Sequence, residues 1–414
     1  MTGVSRLVTL APGRVTGATG RLGVIERAAL AARGGRIVWC GPQSALAGAV
    51  DGTGARIVDA GGHAALPGFV DSHTHFVFAG DRAEEFQLRH AGVSYEELAR
   101  QGRGILSTVR ATRAASHGEL LALGRARLSS FAAHGTTTVE GKTGYGLNPV
   151  AEATCLEVMG ALAGVPGLPA VVPTFLGAHT IAPEYRDTPE RRAYYVEVIC
   201  AEMLPAFVGQ TRFCDVFCEA TAFTVAEARR ILTTAAALGY LLKLHANQLG
   251  ASGGAALAAE LGAVSADHLD FASETDLLAL RAAGVVGTLL PGCSFSLSSA
   301  YPSARRLFDA GVRVALATDF NPGTSYCENM QLMIALAVSA MGMTLDEALE
   351  AATLGGAAAL RLEQEIGSLE PGKRADLAIL SVADERELAY HFGVNLVART
   401  LIAGKEAVCG AAAV

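Results

Sequence analysis

Apolar runs of strand length alternate with amphipathic stretches through the middle of this chain. From residue 66 to about residue 341 the apolar runs end near His75, Lys142, His179, Glu219, His245, His268, Pro291 and Asp319. Between nearly all of them lie stretches rich in Ala, Leu and Arg with helical spacing: residues 118–133, 150–162, 190–207, 225–238, 254–261, 274–283 and 303–310. Short unbroken apolar runs bounded by turn residues read as strands buried on both faces. Thr224 followed by Glu227 spells a capping box before one helix, and Gly135, Gly239, Gly284 and Gly311 each stand where a helix should stop. Strands that alternate with helices imply parallel pairing. Eight such units predict a (β/α)8 barrel of the TIM type, with a doubly wound open sheet as the alternative.

The two ends have another texture. Residues 6–10, 23–32 and 36–41 are short β-type runs, with Gly34-Gly35 placed as a hairpin turn, and residues 376–381 and 399–402 return to the same pattern. The reading is an α/β chain in which residues 1–65 plus 366–414 make a small β-sandwich domain and residues 66–365 make the barrel. No solenoid-length repeat is present.

Composition narrows the classes. Of 414 residues, 51% are hydrophobic and 18% charged, which supports a large core and argues against disorder. A net charge of −7 disfavours nucleic acid or a membrane surface as partner. An anionic substrate would therefore need a local cation. The first residues lack a basic segment followed by an apolar one, and no apolar run reaches the roughly 18 residues of a membrane span. The eight cysteines are scattered without a Cys-x-x-Cys pair, as expected of reduced thiols in a cytoplasmic protein.

The strongest local signal is Pro67-Gly68-Phe69-Val70-Asp71-Ser72-His73-Thr74-His75. On a strand, residues i and i+2 face one way, so His73 and His75 point together into the barrel mouth. His245, His268 and Asp319 end other candidate strands, and all strand ends of a parallel barrel meet on one face. His73, His75, His245 and Asp319 make a three-nitrogen, one-oxygen shell suited to Zn2+ or iron. One ion is expected rather than two, because residues 213–219 offer no lysine to bridge a pair. His90, His117 and His134 read as surface residues; His63 and His391 are unassigned.

These residues, with the segments 78–86, 142–147, 174–179, 265–269, 319–324 and 390–393, resemble the imidazolonepropionases of histidine degradation, over about residues 60 to 400. The resemblance implies hydrolysis of 4-imidazolone-5-propanoate to N-formimino-L-glutamate. It implies one Zn2+ or Fe3+ on His73, His75, His245 and Asp319. It also implies a substrate pocket lined by Arg82, Tyr145, His179, Gln248, Asn321, Gly323 and Thr324. The sequence departs from the family at Glu140-Gly141, at Asn247, where aspartate is common, and at Gln248, where many members carry glutamate; a mechanism that needs an acid at position 248 is disfavoured.

On this reading Asp319 ligates the ion and moves the proton of the attacking water, while His268 donates to the carbonyl oxygen as it gains charge. Arg82 holds the substrate carboxylate, unless a salt bridge to Glu84 or Glu85 occupies it. Backbone N–H groups of the 321–324 turn are further candidates to meet the substrate. Barrels of this kind often dimerise, so a homodimer is expected. Two rivals remain: an aminohydrolase acting on a nucleobase-like heterocycle, and a non-catalytic metal-binding protein.

Overall fold

Strand formation follows the runs. At the amino end β1 (Val4–Val8), β2 (Val24–Arg33), β3 (Arg36–Pro42) and β4 (Ala65–Pro67) enter one sheet. The chain then crosses at Gly68 into a second sheet made of β5 (Phe69–Asp71), β6 (Thr136–Lys142), β7 (Ala170–Ala178), β8 (Phe213–Cys218), β9 (Leu241–Ala246), β10 (Ser265–His268), β11 (Val286–Leu289) and β12 (Val314–Leu316). It returns to the first sheet as β13 (Leu377–Leu380), β14 (Val397–Ile402) and β15 (Lys405–Glu406). This computed structural model describes residues 1–93, 97 and 103–408, so residues 409–414 of the expected small domain lie outside the described residues.

The eight strands β5 to β12 pair in chain order, every pair parallel. Closure is made beyond the regular strands. Thr74 and Phe320 form a parallel bridge, with His75 N–H donating to Phe320 O at 2.8 Å and Asp319 N–H to His73 O at 3.1 Å. Thr318 Oγ1 donates to Asp71 Oδ2 at 2.6 Å across the same seam. At the other end of the seam the segment 351–359 packs against β5 and β12. Its Gly355 and Gly356 lie so close to the carbonyls of Val314 and Val70 that a Cβ on either would be 3.2 Å from the carbonyl carbon and nearer still to the oxygen. The barrel is therefore closed, and the open-sheet alternative is set aside.

Two strand ends differ from expectation. β5 stops at Asp71 and β12 at Leu316, so His73, His75 and Asp319 lie beyond the ladder, in segments tied together by the seam hydrogen bonds. Helices form where the pattern put them; Ser116 with Glu119 caps His117–Ala133, and Thr224 with Glu227 caps Val225–Ala237. The pattern did not single out Ala83–His90, Ile105–Ala114 or Met330–Ala340.

The terminal strands run in the order β15-β14-β13-β4-β1-β2-β3. As expected, both chain ends build a small β-domain; its strands are hydrogen-bonded into one mixed sheet, with β4 parallel to β1 and antiparallel to β13. Val4, Leu7, Ile25, Leu30, Ile37, Leu377 and Leu401 bury a core of their own there. Among the described residues, no helix is long and apolar enough to cross a membrane.

Candidate active site

His73 and His75 follow β5, His245 and His268 end β9 and β10, and Asp319 follows β12; all are buried. Ligand atoms of His73, His75 and His245 lie within 4.8 Å of one another, and so do those of His73, His268 and Asp319. Asp319 Oδ1 is 3.4 Å from His73 Nε2 and 3.7 Å from His75 Nε2. His268 and Asp319 adopt left-handed backbone, with φ of 78° and 53°. Such geometry costs of order 1 kcal/mol or more outside glycine and is tolerated where surroundings enforce it. Nε2 of His73 and of His245 are buried without a hydrogen-bond partner. Buried polar atoms are rarely left so, and a cation held by three imidazoles and a carboxylate would satisfy them. The residues present fit a metal ion.

Behind the imidazoles stands a buried ionic network that the sequence reading missed. His73 Nδ1 lies 2.7 Å from Asp267 Oδ2, and His245 Nδ1 lies 3.0 Å from Asp215 Oδ2. Lys142 Nζ donates to both carboxylates, at 3.3 and 2.7 Å, and sits 3.1 Å from Glu140 Oε2. Lys243 Nζ donates to Glu140 Oε2 at 2.7 Å and to Ser72 O at 3.0 Å. The Asp267 carboxylate, hydrogen-bonded to His73 Nδ1, fixes that ring's tautomer and orientation, while Asp215 faces His245 Nδ1 as an ion-pair partner. Burial alone would raise the Asp215 and Asp267 carboxyls. The charges of His245 and Lys142 on the first, and of Lys243 and Lys142 on the second, hold both well below the ordinary carboxylate range. A signal was present: Glu140 with Lys142 and Lys243 with His245 recur at i, i+2 within apolar strands, where charge is expected only if paired.

Burial also pushes the His73, His75 and His268 imidazoles well below their ordinary value and takes His179 down to about 3, so the rings are neutral. It pushes the Asp319 carboxyl up to about 7, against the pull of His245.

The expected pocket residues gather beside this cluster. The His179 ring stacks on His75 at 4.9 Å, and Tyr145 lies 5.8 Å from His75 and 5.3 Å from His179. Gln248 Nε2 reaches Cys293 Sγ at 3.5 Å, and its N–H donates to Glu219 Oε1 at 2.7 Å. Arg82 is paired with Glu85 through Nε and Nη2, while Glu84 pairs with Arg103. Spacing explains the choice, since Arg82 precedes the helix Ala83–His90 and residues i and i+3 share a helical face. The 321–324 turn differs from expectation. Asn321 Oδ1 accepts from the N–H groups of Gly323 and Thr324, both at 2.8 Å, so those amides are satisfied internally. The Thr324 hydroxyl, 3.3 Å from Asp319 Oδ2, remains at the site. A cavity of about 700 Å³ opens beside Arg82 and Gly323, walled by Phe86, Phe295, Tyr326 and Met333; the histidine cluster is not part of its lining. His90, read as a surface residue, borders it too.

The model of the amidohydrolase family matches residues 64–407. An imidazolonepropionase of Symbiobacterium thermophilum is 50% identical over 97% of this chain and 95% of its own length. One from Herpetosiphon aurantiacus is 46% identical over 98% and 96%. The chain belongs to the imidazolonepropionase family of amidohydrolases. Among solved structures, an adenosine deaminase from Xanthomonas campestris with bound zinc superposes with a TM-score of 0.71 at 20% identity, covering 97% of this chain and 91% of that one. A triazine hydrolase variant gives 0.71 at 18%, covering 99% and 96%. At such identities these two share the fold with this imidazolonepropionase-family chain.

Proposed function

We propose that the chain hydrolyses 4-imidazolone-5-propanoate to N-formimino-L-glutamate, the step its family performs in histidine degradation. The observation that carries this is the buried His73, His75, His245 and Asp319 cluster with an arginine joined to it through one turn: the Arg82 guanidinium lies against Gly323, and the Thr324 hydroxyl next to it donates to Asp319 Oδ2 at 3.3 Å.

One Zn2+ or Fe3+ per subunit would be held by those four residues. When bound, it supplies Lewis acidity, lowering the pKa of water and polarising the amide carbonyl. The chain's own residues do the rest. Asp319 accepts the proton of the attacking water and delivers it to the ring nitrogen as the carbon–nitrogen bond breaks. His268, neutral through burial, donates to the carbonyl oxygen as charge develops there. Tyr145 and His179 wall the ring; Gln248, Asn321, Gly323 and Thr324 complete the pocket, and Gln248 orients the ring through its amide without exchanging a proton. Arg82 takes the propanoate carboxylate, which reconciles an anionic substrate with a chain of net charge −7.

The charge balance and the absence of an apolar membrane-length helix among the described residues support a small anionic partner rather than nucleic acid or membrane. Cytoplasmic location, homodimer assembly and a catalytic domain over residues 66–365 belong to the same proposal. Anaerobic assay on 4-imidazolone-5-propanoate with elemental analysis tests it. Metal-dependent ring opening is expected; ammonia release from guanine or cytosine, with the imidazolone untouched, would replace it by an aminohydrolase.

A further inference from the structure

An arginine carries five N–H groups on a planar fork, and only one edge of the Arg82 fork is engaged. Nε donates to Glu85 Oε2 at 3.0 Å and Nη2 donates to Glu85 Oε1, which uses the side edge. The end edge, formed by Nη1 and the second proton of Nη2, has no hydrogen-bond partner among the described residues. That edge lies against Gly323, at the mouth of the cavity.

Glu85 is itself fixed. It is 3% exposed, and Oε2 also accepts from the Gly104 N–H at 2.8 Å, at the start of the helix Ile105–Ala114. Burial would raise its carboxyl; Arg82 and the Gly104 amide outweigh that and keep it below its ordinary value. The side chain is therefore an anchored anion, unable to follow the guanidinium if it swings.

Resting on the functional reading above, we infer that Glu85 is a positioning residue that presents the end edge of Arg82 at a set distance from the histidine cluster. In doing so it fixes the length of the carboxylate arm the site accepts. A clamped guanidinium cannot follow a carboxylate on an arm one carbon shorter; a released one can, at the cost of ordering itself on binding. Discrimination over one methylene is commonly tenfold or more, and here it depends on the clamp.

The test uses metal-loaded Glu85→Gln, assayed with 4-imidazolone-5-propanoate and with the one-carbon-shorter 4-imidazolone-5-acetate. For the propanoate, KM rises about tenfold while kcat stays within about twofold. The ratio of kcat/KM between the two arms falls by about tenfold. Should Glu85→Gln fail to fold, Glu85→Asp, which keeps the charge but shortens the reach, carries the same two readouts. A folded variant with unchanged KM and unchanged arm ratio overturns the inference and leaves the functional reading standing. So does a loss confined to kcat or shared equally by both arms. If neither variant folds, Glu85 belongs to the scaffold and the inference fails. No turnover of the propanoate by the unaltered protein removes the functional reading itself.

Discussion

The guanidinium of Arg82 occupies the space that a side chain at Gly323 would need: a Cβ there would stand 2.8 Å from Arg82 Cζ and closer to Nη1. Gly323 thus serves the site through clearance, since its amide is already bonded to Asn321 Oδ1. Its φ lies outside the left-handed region, so an added methyl meets no backbone strain; it meets the arginine first, with Asn321 Oδ1 at 3.3 Å as the next neighbour. Gly323→Ala should raise KM for the propanoate substrate by about tenfold with little change in kcat or melting temperature. A KM equal to that of the unaltered chain would show that Arg82 has room to move aside.

Removing an imidazole from the cluster tests the metal assignment. His245→Ala should leave the purified protein with less than one equivalent of metal and no measurable turnover, by elemental analysis and assay. Full activity at normal metal content would refute the ligand set.

The carboxylates behind the imidazoles should matter almost as much. Asp215 lies 3.0 Å from His245 Nδ1. Loss of such an orienting partner typically weakens metal binding by about 10–100-fold. Asp215→Asn should show this in chelator competition, with the fold retained.

Lys142 neutralises a buried trio, Glu140, Asp215 and Asp267. Removing one partner of a buried ion pair leaves an uncompensated charge and costs about 3–5 kcal/mol. Lys142→Met should lower the urea midpoint of the metal-free protein accordingly. A midpoint unchanged within error would mean that water reaches the network.

Burial raises the Asp319 carboxyl from an ordinary 3.8 to about 7. A carboxyl whose folded pKa is raised favours the fold while protonated, and that contribution disappears as pH climbs through the folded value. At about 1.4 kcal/mol for each pKa unit, the metal-free protein should lose stability between about pH 4 and 7 relative to its Asp319→Asn variant. Added metal should remove this loss in the unaltered protein, because the ion favours the ionised carboxylate it binds. Parallel pH profiles of the two metal-free proteins would contradict it.

The sequence by itself determined the periodic elements, because burial on both strand faces and on one helix face is written residue by residue. It also marked His73 and His75, two residues apart on one extended segment, and the histidines that end β9 and β10. The sequence leaves open whether Glu84 or Glu85 takes Arg82; the structure pairs it with Glu85. Tertiary structure decided what depends on neighbours far apart in the chain. The seam between β5 and β12 is closed by Thr74 and Phe320, which follow the first and the last strand of the barrel and are far apart in the chain. That closure carries Asp319 past its strand and into the cluster. Lys142, Asp215 and Asp267 come from β6, β8 and β10, and nothing local reveals that one ammonium serves both carboxylates. Likewise the terminal strands form one sheet because β4 lies between β1 and β13. Pairings of this kind are fixed by where closed strands point and by which charges must neutralise one another once water is gone, and neither is a property of any single segment.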